Sequence, residues 1–180
     1  MISVEPATPG RWDDVVLAFG TGSCWCQRFR RHDEADNRAA LRAEIETGVV
    51  PVGLIAYVEG DPAAWSRVVP RHTLPGVQEN RALRRLLADD PGAWWVSCVV
   101  VRREHRGHGV GVALLRAAVD HARRHGATAL DGHPVDVGRL KARPSASALF
   151  TGTRSMFAAA GFEEIGRTYV SRPVMRRELG

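Results

Sequence analysis

Cysteine is scarce, three residues in 180. An odd and small number argues against a disulfide framework, and so against the secreted folds that depend on one. No apolar run approaches the ~20 residues of a membrane-spanning helix. The opening residues, MISVEPATPGRW, lack the basic segment and apolar core of a secretory signal. A cytoplasmic protein with no membrane partner is therefore expected. Tyrosine is almost as rare: Tyr57 and Tyr169 are the only two, which leaves few phenols as proton donors. Internal repeats are lacking, no second domain is evident, and residues 1–180 read as one domain.

The composition that remains, 44% hydrophobic and 25% charged, is that of an ordinary globular protein. A net charge of +5 raises the question of an anionic partner. The arginines, however, occur in nearly every segment and alternate with Asp and Glu. Such dispersion reads as a solvated basic surface and argues against nucleic acid as a partner.

Along the chain, ISVEP reads as a strand and PGRWDDVVLAF as a helix whose Pro9 and acidic residues suit its start. GTGSCWCQRFRR is a glycine-punctuated loop. EADNRAALRAEIETG follows as a second helix, with Leu41 and Ile45 four apart and Gly48 as its stop. VPVGLIAYV and AAWSRVVP form a hairpin around EGDP, and residues 71–92 a basic, partly helical connection. AWWVSCVVV shows no alternation, the pattern of a strand buried on both faces. From Val110 to His125 an apolar face of Val110, Ala113, Leu114, Ala117 and Ala118 predicts an amphipathic helix closed by Gly126. ATALDGHPV is the next strand, and DVGRLKARPSASAL a polar loop long enough to suggest a role at a site. TGTRSMFAAAG is a short helix ended by Gly161, and FEEIGRTYVSRPVMRREL two strands around a turn. The order β-α-α-β-β-(α)-β-α-β-α-β-β implies an α/β or α+β fold.

Between the apolar strand and the amphipathic helix stand Gly107, Gly109 and Gly111. A strand, a glycine loop and a helix N-terminus together make an anion site, because the first helical turn has unpaired N–H groups and glycine lets phosphate oxygens approach. A P-loop is excluded by the lack of Gly-Lys-Ser/Thr. A dinucleotide fingerprint needs glycine where Val112 stands, although Asp131 lies about twenty residues further on, as that motif asks.

A third motif fits. Arg106-Gly107-His108-Gly109-Val110-Gly111 resembles the acyl-CoA-binding signature Q/R-x-x-G-x-G/A of the GNAT superfamily of N-acetyltransferases. SMFAAAGFEEIGR resembles that superfamily's late helix and following strand, and the order of elements also matches. The resemblance implies a mixed central sheet of about six or seven strands, flanked by helices and splayed at the cofactor. It further implies acetyl-CoA as cosubstrate and no metal. The pyrophosphate would rest on backbone N–H groups from Arg106, Gly107, His108, Gly109, Val110 and Gly111 to Val112. The pantetheine would pair with Val99, Val100 and Val101. The acetyl group would pass directly to a primary amine of a small molecule or a protein, in a monomer or homodimer. Such transfer needs a neutral amine, a donor for the developing oxyanion and a proton for the leaving thiolate.

Several positions depart from the pattern. Phe157 stands where many members carry a tyrosine acid. Ser155 and Thr153 either donate hydrogen bonds there or cap the helix. Residues 94–101 hold no carboxylate to act as base, and Cys98, their only ionisable group, is either inert core or a wall of the acceptor pocket. Asp131, His133 and Asp136 cluster at the end of the next strand and are the expected proton acceptors. Trp25 is expected to wall the acceptor site. Its neighbours Cys24 and Cys26 lack a second Cys/His pair of suitable spacing, so neither a metal nor a disulfide is expected of them. Phe157 keeps open a non-catalytic acyl-CoA-binding module, and the net charge, more weakly, a basic nucleic-acid-binding protein.

Overall fold

The computed structural model describes residues 1–20, 24–30 and 36–180. Residues 21–23 and 31–35, which hold part of the glycine-punctuated loop, His32 and the expected start of the second helix, lie outside the described residues. Among the described residues seven strands form one sheet: β1 (Ile2–Pro6), β2 (Gly53–Val58), β3 (Asp61–Pro70), β4 (Trp94–Val101), β5 (Ala129–Gly132), β6 (Glu163–Tyr169) and β7 (Arg172–Glu178). Their order is β1-β2-β3-β4-β5-β7-β6. Every pairing is antiparallel except β4 with β5, where α5 makes the crossover that a parallel pair requires. The helices are α1 (Trp12–Phe19), α2 (Asn37–Thr47), the short α3 (Pro75–Gln78) and α4 (Arg81–Arg84), α5 (Val110–Arg124) and α6 (Arg154–Ala159). None is long and apolar enough to cross a membrane.

The sheet is covered on both faces, which is why β4 reads as an unbroken apolar run. One layer is α5 with α6, packed on Leu54, Ala56, Val68, Val96 and Leu130. The helix α5 turns Leu114, Leu115, Ala118, Val119 and Ala122 inward. Ala113 and Ala117, expected in that face, lie at its half-buried margin. The other layer is α1 with α2, where Val15, Phe19, Leu41 and Ile45 meet Ile55, Trp65 and Cys98. Asp36 caps α2 by accepting from Arg38 N–H at 2.9 Å and Ala39 N–H at 3.1 Å, as an N-cap carboxylate should.

Two irregularities place the site. Arg67 pairs with Cys98 and Val68 with Val96, so Ser97 is an extra residue in β4, a β-bulge. After it Val99 joins the α5 layer and Cys98 the α1 layer. The parallel ladder between β4 and β5 covers only Trp94–Val96 against Leu130–Gly132. Beyond Ser97 the two strands part.

Candidate active site

The three glycines of the loop have two different causes. Gly107 and Gly109 have φ of +81° and +79°, the left-handed region that side chains avoid, and open space where a Cβ would stand. Gly111 is a packing glycine: a Cβ there would lie 2.0 Å from Met156 Cε of α6. The first hydrogen bond within α5 runs from Ala113 N–H to Gly109 C=O at 3.0 Å. The N–H groups of Val110, Gly111 and Val112 therefore have no acceptor in the helix and point out of its positive end. Arg106 turns back to donate from Nε to Val101 C=O at 2.9 Å, which ties the loop to the end of β4. Arg103, Arg106 and His108 are exposed beside it. An open, basic, glycine-built concavity on a helix N-terminus suits a pyrophosphate.

The fork between β4 and β5 is bridged by the chain itself. Val99 N–H donates to Phe150 C=O at 2.7 Å, and Val135 N–H donates to Gly152 C=O at 3.0 Å. The backbone group of β4 expected to pair with pantetheine is thus already paired with residue 150. At the point of the fork sits Ser97, 1% exposed, whose Oγ has no hydrogen-bond partner among the described residues. A buried hydroxyl without a partner is uncommon and asks for a reason. Phe157 is 0% exposed, with its ring against Gly132 and 4.9 Å from that of Phe162; it packs and has nothing to donate.

The three expected proton acceptors do not converge. Asp131 is fully buried between Arg71 (2.7 Å) and Arg176 (3.0 Å). Burial pushes its carboxyl up, against the pull of the two guanidiniums. Asp136 pairs with Arg167 at 2.9 Å. Of the three, His133, half-buried just past β5, carries no ion pair among the described residues, and its Nε2 lies 2.8 Å from Thr168 Oγ1. Burial and the Arg172 charge lower its pKa to about 4, so the ring is neutral at pH 7. Although they are near in sequence, Asp131 is tied to Arg71, just after β3, and to β7, and Asp136 to β6. Ser155 is exposed at the start of α6, 3.0 Å from Oγ1 of Thr153, which is the N-cap.

The cysteines correct the reading. Cys26 and Cys98 form a disulfide, with Cα atoms 6.4 Å apart and a sequence separation of 72. Cys98 is therefore not a free thiol in an acceptor wall. The spacing within Cys24-Trp25-Cys26 gave no sign of a partner on β4. Trp65 Nε1–H donates to Cys26 Sγ at 3.2 Å. Trp25 stacks in a cluster with Phe19 (ring centroids 4.6 Å) and Trp12 (6.1 Å), with Arg38 5.5 Å above its ring. Gln27 donates to Glu44 at 2.8 Å, and Glu44 also holds Arg67 and Arg30. The loop 24–30 is thereby fixed to β3, β4 and α2. Among the described residues no group of three His, Cys, Asp or Glu side chains is arranged to hold a metal.

This architecture of a parallel fork behind a glycine loop has counterparts. The model of the acetyltransferase (GNAT) family matches residues 18–144, and the chain belongs to that family. No curated protein matches the sequence. Among solved structures, it resembles a GCN5-related N-acetyltransferase from Kribbella flavida, with 19% identity, 99% of this chain and 98% of that one covered, and TM-score 0.58. It also resembles the GNAT domain of S. lividans PAT, with 17% identity, 98% and 89% covered, and TM-score 0.60. A third is aminoglycoside acetyltransferase AAC(6')-Ib in complex with coenzyme A and kanamycin, with 15% identity, 99% and 95% covered, and TM-score 0.57. At these identities the likeness is one of fold.

Proposed function

We propose that the chain is an N-acetyltransferase that moves an acetyl group from acetyl-CoA directly to a primary amine. The observation that carries this reading is the glycine loop, where left-handed Gly107 and Gly109 border open space beside the three N–H groups that α5 leaves without a helical acceptor, at the end of the forked strand. Acetyl-CoA supplies the acetyl thioester. The N–H groups of Val110, Gly111 and Val112, with Arg106 and His108 beside them, hold its pyrophosphate. Val99 N–H exchanges its Phe150 partner for the extended arm. Ser97 Oγ, unpaired at the point of the fork, donates to the charge that develops on the acyl oxygen or the departing sulfur. It thereby takes over a role that Phe157 cannot fill. A histidine with pKa about 4 is a weak base, and proton transfer is most efficient when the catalytic pKa lies near the working pH. Solvent therefore deprotonates the amine, and His133 orients it as a neutral acceptor.

An amine library with acetyl-CoA, read by free thiol, tests the reaction; acetyl-CoA that binds but never transfers to any amine would leave a binding module. Ser97→Ala should lower kcat by ~10²–10³, the usual effect of losing one such donor, with CoA affinity retained. Wild-type turnover in that variant would make Ser97 structural.

A further inference from the structure

The fork contains a cation with no counter-charge. Arg172 opens β7, next to β5, and is half-buried. Its Nη1 donates to Thr151 Oγ1 at 2.9 Å and to His133 C=O at 3.4 Å, both uncharged oxygens. Arg28, from the loop after Cys26, lies over the Phe150 ring with 4.8 Å from Cζ to the ring centroid. The two guanidiniums are thus seated on consecutive residues, Phe150 and Thr151, and it is Phe150 C=O that takes the Val99 N–H in the fork. Among the described residues no carboxylate pairs with either. The contrast is with Arg67, Arg71, Arg154, Arg167 and Arg176, each of which meets Asp or Glu. Burial and repulsion from Arg28 lower the Arg172 pKa. Arg28 is exposed but not adrift. Cys26 on one side is bonded to Cys98, Gln27 is held by Glu44, and Phe29 C=O accepts from Gly76 N–H at 2.9 Å.

We infer that the acceptor is a small amine that also carries a carboxylate, an amino acid in chemical class, with the carboxylate bound by Arg172 and Arg28. This rests on the acetyl-transfer reading above and specifies its substrate. The pyrophosphate does not compete for these arginines. Its concavity lies past the end of β4 at α5, whereas Phe150 packs on the α1 layer. A planar carboxylate suits the remaining donors of Arg172, which present a fork. A polycationic amine brings like charge to two guanidiniums and is rejected.

The test compares each standard amino acid with its C-terminal amide, and both with spermidine, as acceptors with acetyl-CoA. At least one amino acid should exceed its amide in kcat/KM by about tenfold or more, the worth of a charge-assisted pair. Arg172→Gln with Arg28→Gln should bring that ratio to about one by raising KM. Calorimetry on the CoA-loaded protein gives a second readout, in which an N-acetylamino acid should bind and its amide should not. Amides or spermidine acetylated as well as the acids would overturn the inference and leave acetyl transfer standing. N-acetylamino acids that bind through Arg172, with no amine acetylated, would keep the anion site and remove the transfer reading. Equal binding of acid and amide would overturn the inference even in a chain that transfers nothing.

Discussion

The two halves of the proposed site are built in opposite ways. The cofactor half is one run of chain: the end of β4, the glycine loop and the first turn of α5, held by backbone geometry at Gly107 and Gly109. The acceptor half gathers residues 24–30, 133, 150–152 and 172 from four segments, held by a disulfide, ion pairs and stacked rings. A local site depends on φ and on one helix end, and changes there stay local. An assembled site depends on the cross-links between its segments, and loosening one of them moves several side chains at once.

The hinge between the halves is Phe157, so its loss should do most damage. Phe157→Ala empties a fully buried site against Gly132 and Gly152 and should cost ~3–5 kcal/mol in chemical denaturation. A cost below ~1 kcal/mol would mean that the fork is not packed through this ring.

Next comes the acceptor half alone. Reduction of the Cys26–Cys98 bond, or Cys98→Ala, should cost ~2–4 kcal/mol and raise the acceptor KM while CoA binding persists. Thiol titration should find Cys24 free in the native protein and two more thiols after reduction and unfolding. Full reactivity of all three without reductant would remove the cross-link from the comparison.

Gly109→Val should act on the other half alone. Saturating CoA stabilises a protein by ~2.7 kcal/mol at a hundredfold excess over Kd, and this variant should lose most of that shift, because valine at φ +79° forces the loop to another path. An unchanged shift would sink the phosphate cradle.

The smallest effect is one of pH, carried by one ring of the acceptor half and one at the far end of α5. His121, against Pro51 C=O, and His133 are each lowered from near 6.5 to about 4, chiefly by burial. Between those values the unfolded chain takes up protons that the folded chain refuses, so stability is full above about pH 6.5 and falls as pH drops toward 4. His133→Gln should remove the part owed to the acceptor half, and an unaltered slope would show that ring to be solvated.

The same contrast governs what could be read from the sequence. The glycine loop, α5 and the double-faced β4 were legible because each is a contiguous pattern. Phe157 was legible as a packing residue from its place before AAGF. Ser97 was not, since a bulge is a property of the pairing between Arg67 and Cys98; the polar Ser-Cys pair inside an apolar run was the one visible sign. The disulfide was missed because spacing along the chain says nothing of contacts across 72 residues. Asp131, His133 and Asp136 are neighbours in sequence with separate partners: Asp131 is held by Arg71 and Arg176, whereas His133 and Asp136 meet Thr168 and Arg167 of β6. Arg172 read only as an ordinary residue of the final strand, because a missing counter-charge has no sequence signal.

Ser97 also sets a phase. A strand alternates its two faces like a binary sequence, and one extra residue inverts every assignment after it. Were Ser97 drawn into the regular ladder instead of bulging, everything from Cys98 to Val101 would change sides: the cysteine would be delivered to the α5 layer, out of reach of Cys26, and Val99 would be sent toward Phe19 and Trp65. The amide of Val99 would turn from the fork to β3. One bulged residue in the middle of an apolar strand thus decides which side of the sheet receives the cross-link and which receives Val99.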